Sequence, residues 1–77
     1  MTNQSKIDPR NHKLRAVREA NRMSQIQLAA LAKVTPAKVS ILEAGCRCDK
    51  STARRIAEAL NVEPVEVFEN FDELRGS

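Results

Sequence analysis

The stretch Ser24–Gly45, SQIQLAALAKVTPAKVSILEAG, decides the fold of this chain. Ser24 and Thr35 each precede a run with apolar residues at helical spacing, and a hydroxyl side chain there caps the free N–H groups of a helix. Gln27 completes a capping box with Ser24, and Pro36 suits the first position of the second helix. Gly45 suits the left-handed backbone that follows a helix. We therefore expect two short helices joined by a tight turn.

On both sides of this pair, apolar residues again recur every three or four positions, with no alternation typical of strands. The pattern predicts an all-α fold, a compact five-helix bundle. The other three helices are expected over residues 9–21 with Asp8 as the cap, from a cap at Asp49 or Ser51 to Leu60, and from Glu63-Pro64 onward. Residues 1–8 are expected to form a polar N-terminal arm, 9–68 the helical domain and 69–77 an acidic tail.

The charges are distributed unevenly along the chain. Residues 1–55 carry twelve Lys or Arg and four Asp or Glu, a net charge of +8, whereas residues 56–77 carry one Arg and six acidic residues, a net charge of −5. The excess of positive charge in residues 1–55 favours a partner that presents phosphates, although solvated basic surfaces are common. No signal peptide and no apolar run of the roughly 18–20 residues that span a membrane is found, so we expect a cytoplasmic protein.

Two cysteines, Cys46 and Cys48, stand one residue apart just after Gly45. A zinc site usually has four ligands, and the single histidine, His12, lies far away in sequence. The spacing also differs from the Cys-x-x-Cys redox motif. We therefore expect ordinary thiols, no metal site and no cofactor. No phosphate loop or nucleophile–base set is found, so the sequence does not predict an enzyme.

A set of positions, taken in order, carries a resemblance to a known family. These positions are Leu14, Arg18, Ser24-Gln25, Leu28-Ala29, Val34-Thr35, Ser40, Leu42-Glu43, Gly45, the run Ile56–Val62 and Phe68. From Leu14 to Phe68 the chain resembles the lambda-repressor-like helix-turn-helix family, of the Cro and xenobiotic-response-element type. The resemblance implies a DNA-binding domain whose third helix, opened by Thr35, lies in the major groove.

The resemblance also implies roles for individual residues. It places the first turns of the third helix against base edges, which here means Thr35, Pro36, Ala37, Lys38 and Ile41. It implies that Gln25 hydrogen-bonds a backbone phosphate, that Ser40 lies within reach of phosphate or base, and that Arg18 forms a structural ion pair with Glu43. Arg22, Arg47 and Lys50 are either solvated charges or further phosphate contacts.

The third helix departs from the family pattern where selectivity is determined. Family members often carry Gln, Arg or Asn early in this helix, where bidentate contacts to adenine or guanine are made. Pro36 and Ala37 occupy those places here, so Lys38 becomes the side chain that can donate to guanine or to a phosphate. Ala37 and Ile41 either touch thymine methyl groups or are simply exposed. We expect recognition through methyl contacts, one lysine and DNA shape.

The tail can extend the fifth helix, because Phe71 and Leu74 keep a helical spacing with Phe68. Phe71 and Leu74 then either pack on their own domain or form a dimer seam, and we favour the seam because helix-turn-helix proteins usually bind as two-fold dimers.

The expected function is that of a sequence-specific transcriptional regulator, a homodimeric repressor that binds double-stranded DNA. Its palindromic operator would have half-sites about 34 Å apart. The size is typical of phage, plasmid or mobile-element regulators. The alternative is an antitoxin-type or other protein-interaction module, which binds a small partner protein as well as DNA.

Overall fold

A computed structural model describes residues 11–76 of the chain. Its elements are α1 (His12–Ala20), α2 (Gln25–Ala32), α3 (Pro36–Glu43), α4 (Lys50–Leu60), α5 (Pro64–Val67) and a short 3-10 turn (Phe71–Glu73). No strand occurs in the described part of the chain. The expected all-α fold with five helices is confirmed.

The α2–turn–α3 unit forms as the sequence predicts. The Ser24 hydroxyl accepts the Gln27 N–H at 3.0 Å, and the Gln27 side chain accepts the Ser24 N–H at 2.9 Å. The chain leaves α2 through Lys33, whose φ of +61° lies in the left-handed region. Thr35 then caps α3 by accepting the Lys38 N–H at 3.1 Å. The capping box and the second cap are both confirmed.

The start of α1 differs from the prediction. The helix begins at His12 and is capped by Asn11, whereas the expected cap at Asp8 and the proline after it lie outside the described residues. Asn11 is held here because three of its polar groups find partners. Its side-chain oxygen accepts the Leu14 N–H at 3.0 Å, its amide donates to the Val67 carbonyl at 2.7 Å, and its N–H donates to the Glu43 carbonyl at 2.9 Å. Asn11 thereby joins α1 to the last residues of α3 and α5.

The sequence predicted either Asp49 or Ser51 as the N-cap of α4. Asp49 is the cap, and its carboxylate accepts the Thr52 N–H at 3.1 Å. Hydrogen bonds from the side chain and the backbone of Thr52 hold the pKa of Asp49 below its usual value. The helix ends at Leu60, as expected, and Asn61 follows with a φ of +61°.

The predicted extension of the fifth helix into the tail is wrong. α5 has only four residues, because Phe68 takes an extended backbone with a φ of −132°. The chain turns back through the 3-10 turn, so that Leu74 is only 6% exposed and belongs to the core. The Arg75 carbonyl then accepts the Lys50 N–H at 2.6 Å. Leu74 therefore packs on its own domain, and its assignment to a dimer seam is wrong.

The core lies where α2 packs against both α3 and α4, while α5 contacts α1 and α4. Its buried apolar residues are Leu14, Leu28, Ala29, Ala32, Val39, Leu42, Ala53, Ile56, Ala57, Leu60, Val67, Phe68 and Leu74. Small alanines on α2 and α4 let these helices approach closely. Among residues 11–76, no helix has the length and apolar character needed to cross a membrane.

Candidate nucleic-acid interface

The helix α3 divides into a buried face and an exposed face. Val39, Leu42 and Glu43 are buried, which leaves the other side of the helix open. The predicted base-edge residues that are exposed there are Thr35, Pro36, Ala37 and Ile41, with Ser40 exposed as well. Lys38 is half-buried. No other part of the described chain therefore covers this surface at Ala37 or Ile41, and Ile41 retains 46% of its exposure.

An ion pair beneath α3 fixes the orientation of this helix. The Arg18 guanidinium donates to both carboxylate oxygens of Glu43, from Nε at 2.5 Å and from Nη2 at 3.2 Å. Its third nitrogen, Nη1, donates to the Met23 carbonyl at 2.8 Å. The hydrogen bond with Glu43 raises the pKa of Arg18 above its normal value. The expected pair of Arg18 and Glu43 is present and nearly buried, with side chains 10% and 8% exposed.

Gln25 connects this ion pair to the surface. Its Nε2 donates to the Glu43 Oε1 at 3.1 Å, and its side chain stands at the start of α2, half-buried. An amide nitrogen carries two hydrogens. The contact with Glu43 therefore leaves Gln25 able to donate a second hydrogen bond outward.

The remaining predicted phosphate contacts lie at two places on the surface. Arg22 is exposed in the turn between α1 and α2. Arg47 and Lys50 lie at the loop between α3 and α4 and at the start of α4, where the returning tail meets them. The Arg47 Nη2 donates to the Glu73 carbonyl at 3.4 Å. The Lys50 Nζ lies 5.6 Å from the centroid of the Phe71 ring.

The two thiols differ in environment. Cys46 is exposed, whereas Cys48 is partly buried. Burial raises the pKa of Cys48, the Asp49 carboxylate raises it further, and the charge of Lys38 opposes both effects. Within residues 11–76, no three His, Cys, Asp or Glu side chains form a group that could hold a metal ion.

The sequence interpretation missed two features of this region. The first is Asn11 as the N-cap of α1. Asn is a preferred N-cap residue, so the sequence could have indicated it, but the prediction followed the Asp8-Pro9 pair instead. The contact of Arg54 with the Phe71 ring, at 5.5 Å, carried no such signal, because it depends on the tail turning back.

Comparison with known families identifies the fold. The sequence profile of a family described as a helix-turn-helix domain matches residues 12–69, which includes all five helices. The chain belongs to this helix-turn-helix family. The resemblance to lambda-repressor-like domains is thereby confirmed, and the match supports DNA binding as the activity of the domain. A search of curated proteins finds no significant match to the chain.

Proposed function

We propose that this protein is a sequence-specific transcriptional regulator, a homodimeric repressor that inserts α3 into the major groove of a palindromic operator. The single observation that carries the proposal is the exposed face of α3, which is anchored from below by the Arg18–Glu43 pair. A helix that presents Ala37 and Ile41 to solvent while its other side is fixed is suited to lie against base edges.

The basic surface and α3 have separate roles in this proposal. Gln25, Arg22 and the cations near the α3–α4 loop contact phosphates, which gives affinity without selectivity. Lys38 donates to a guanine edge or to a phosphate, while the methyl groups on the exposed face of α3 contact thymine methyls.

The dimer is proposed from the geometry of DNA rather than from a contact in this chain. Two helices that enter one face of the duplex must lie one helical turn, about 34 Å, apart. Leu74 is not available for the interface because it is in the core. Phe71 is half-buried against the same domain, so we propose no dimer role for it.

The test is selection of binding sites from random duplexes, followed by titration of the selected site and of a random duplex at the same salt concentration. We expect a selected palindrome and a clear preference for it. Lys38→Ala should reduce this preference by about tenfold, in the range of a lost base contact. The matched control is Lys13→Ala, which removes an exposed lysine of α1 that pairs with Glu69. If the wild-type protein prefers no sequence at moderate salt, the proposal fails.

A second candidate function rests on two exposed apolar side chains of α2, Ile26 at 68% and Leu31 at 59%. An antitoxin-type module would use exposed apolar side chains of this kind to hold a small partner protein. Coexpression with the product of the neighbouring gene tests this alternative. A stoichiometric complex that Ile26→Ser disrupts would support it, and failure of the two proteins to copurify would exclude that partner.

A further inference from the structure

Asn11 lies where the ends of three helices meet. It caps α1, since its side-chain oxygen accepts the Leu14 N–H at 3.0 Å. Its backbone N–H donates to the carbonyl of Glu43, the last residue of α3, at 2.9 Å. Its side-chain amide donates to the carbonyl of Val67, the last residue of α5, at 2.7 Å. One residue therefore provides a partner for a backbone group at one end of each helix.

The bond to Glu43 completes the hydrogen bonding of the last turn of α3. The last four carbonyls of a helix have no partner within the helix. In α3, the three carbonyls before that of Glu43 accept N–H groups from residues 44–46, which follow directly in the chain. The Glu43 carbonyl instead accepts the N–H of Asn11, which precedes α1. The end of α3 is therefore held from the start of α1.

The carbonyl and the carboxylate of Glu43 are held by different residues. The carboxylate accepts hydrogen bonds from Arg18 and Gln25. Several rotatable bonds separate the carboxylate from the backbone, so these contacts alone allow the backbone of α3 to shift while the ion pair persists. Asn11 contacts the backbone itself. Its hydrogen bond therefore restrains the helix directly.

A displacement at Glu43 changes where α3 presents its exposed side chains. The helix has eight residues, a length of about 12 Å at a rise of about 1.5 Å per residue, and Thr35 caps its start. If the end of the helix moves by about 1 Å, the helix tilts by about 5°. Ile41, two residues before Glu43, moves with the end, whereas Lys38 lies near the start and moves less. Binding groups must be held within about 0.5 Å of their productive positions.

We propose that Asn11 is a positioning residue for DNA recognition. Its side chain, anchored on Val67, keeps its backbone N–H on Glu43 and thereby sets the angle at which α3 presents Ile41 to the bases. This role rests on the proposed DNA-binding function, and Asn11 acts through α3 without touching DNA. Its loss therefore weakens discrimination between sequences and leaves the phosphate contacts unchanged.

The experiment compares two asparagines that each donate to a backbone carbonyl. Asn11→Ser keeps a favourable N-cap and removes the amide that bonds Val67. Asn21→Ser is the matched control, because the Asn21 amide donates to the Val17 carbonyl at 2.9 Å within α1 itself. Affinities for the selected site and for a random duplex are measured over a series of salt concentrations.

Asn11→Ser should lower the preference for the selected site by about three- to tenfold, because the contact of Ile41 is weakened rather than removed. The slope of log K against log salt should stay at the wild-type value, since no phosphate contact is lost. Asn21→Ser should keep both the preference and the slope. Circular dichroism establishes that each variant is folded before it is titrated.

The ratio of the two affinities separates positioning from a general loss of stability. Unfolding weakens both complexes by the same factor, so a variant that is only less stable keeps the wild-type ratio. Asn11→Asp keeps the capping oxygen but lacks the donor, and it should lower the ratio as Asn11→Ser does. In a double-mutant cycle, Asn11→Ser should cost little further preference in the Ile41→Ala background and should keep its full effect in the Lys38→Ala background.

Amide hydrogen exchange tests the same arrangement in the free protein. The N–H groups of Gly45 and Cys46 bond to carbonyls in the last turn of α3. They should exchange faster in Asn11→Ser than in the wild type, because local opening of this turn becomes easier. Asn21→Ser should leave their exchange unchanged. Equal exchange at these two groups in the wild type and in Asn11→Ser would overturn the positioning role.

The outcomes on DNA distinguish this role from the proposed function. If the wild-type protein selects a site and Asn11→Ser keeps the same preference, the positioning role is overturned and the regulator remains. Equal losses of preference in Asn11→Ser and Asn21→Ser would overturn it as well. If the wild-type protein prefers no sequence, both proposals are overturned.

Discussion

Replacing Glu43 with glutamine should destabilise this domain far more than any substitution in a surface ion pair. Glu43→Gln leaves Arg18, whose side chain is only 10% exposed, without the charge that two of its nitrogens contact. Removal of one partner from a buried pair typically costs about 3–5 kcal/mol. Because some solvent reaches this pair, we expect a loss of about 3 kcal/mol in the free energy of unfolding. For a domain of this size, that corresponds to about 12–24 °C in Tm.

The assay is urea denaturation followed by circular dichroism, with Glu69→Gln as the matched control. Glu69 pairs with Lys13 at 2.7 Å on the surface, with side chains 73% and 55% exposed, and its loss should change the free energy of unfolding far less. Arg18→Met combined with Glu43→Leu should recover most of the stability, because no buried charge is then left alone. Equal midpoints for Glu43→Gln and Glu69→Gln would refute the interpretation of Arg18–Glu43 as a buried pair.

Three further predictions concern the backbone, pH and thiol reactivity. Lys33→Gly should raise the free energy of unfolding by about 0.5–1 kcal/mol, because glycine tolerates the φ of +61° found there; Asn61→Gly at the same φ should gain less, since asparagine already tolerates it. Hydrogen bonds from Thr52 lower the pKa of Asp49 in the folded protein, so its carboxyl protonates more readily in the unfolded chain. As pH falls below the ordinary aspartate pKa of about 3.9, this group therefore lowers the free energy of unfolding. Asp49→Asn keeps a capping oxygen and should show a shallower loss of stability in acid denaturation, and a slope equal to that of the wild type would contradict this. Iodoacetamide should modify Cys46 faster than Cys48, as measured by mass spectrometry on the single serine variants, because Cys48 is partly buried and its pKa is raised.

The helix-turn-helix unit could be predicted from sequence because its determinants are local. The capping residues act on backbone groups within three residues, so their effect can be predicted without knowledge of the fold. These residues are Ser24, Gln27, Thr35 and Pro36. The pair of Arg18 and Glu43 spans 25 residues and was found through the family resemblance alone.

The C-terminal part could not be predicted, because a spacing of three residues does not distinguish continued helix from a chain that turns back. Phe68, Phe71 and Leu74 fit both cases. The returning path is favoured by burial of Leu74 and by a partner for the Lys50 N–H, one of the donors that a helix leaves unpaired at its start. Both are long-range effects that no local pattern reports.

The composition of α3 has a consequence for the proposed assembly. Pro36 and Ala37 cannot make bidentate base contacts, so a half-site read by Lys38 and methyl groups discriminates weakly, by about 100-fold if two contacts of about 1–2 kcal/mol each operate. A monomer with that ratio would be bound mostly at competing genomic sites, because phosphate contacts strengthen binding to all sequences. The free energies of two half-sites add, so a dimer would discriminate by about 10,000-fold, within the usual range for specific regulators. Because α3 carries few side chains that can distinguish bases, we propose that this protein acts as a dimer.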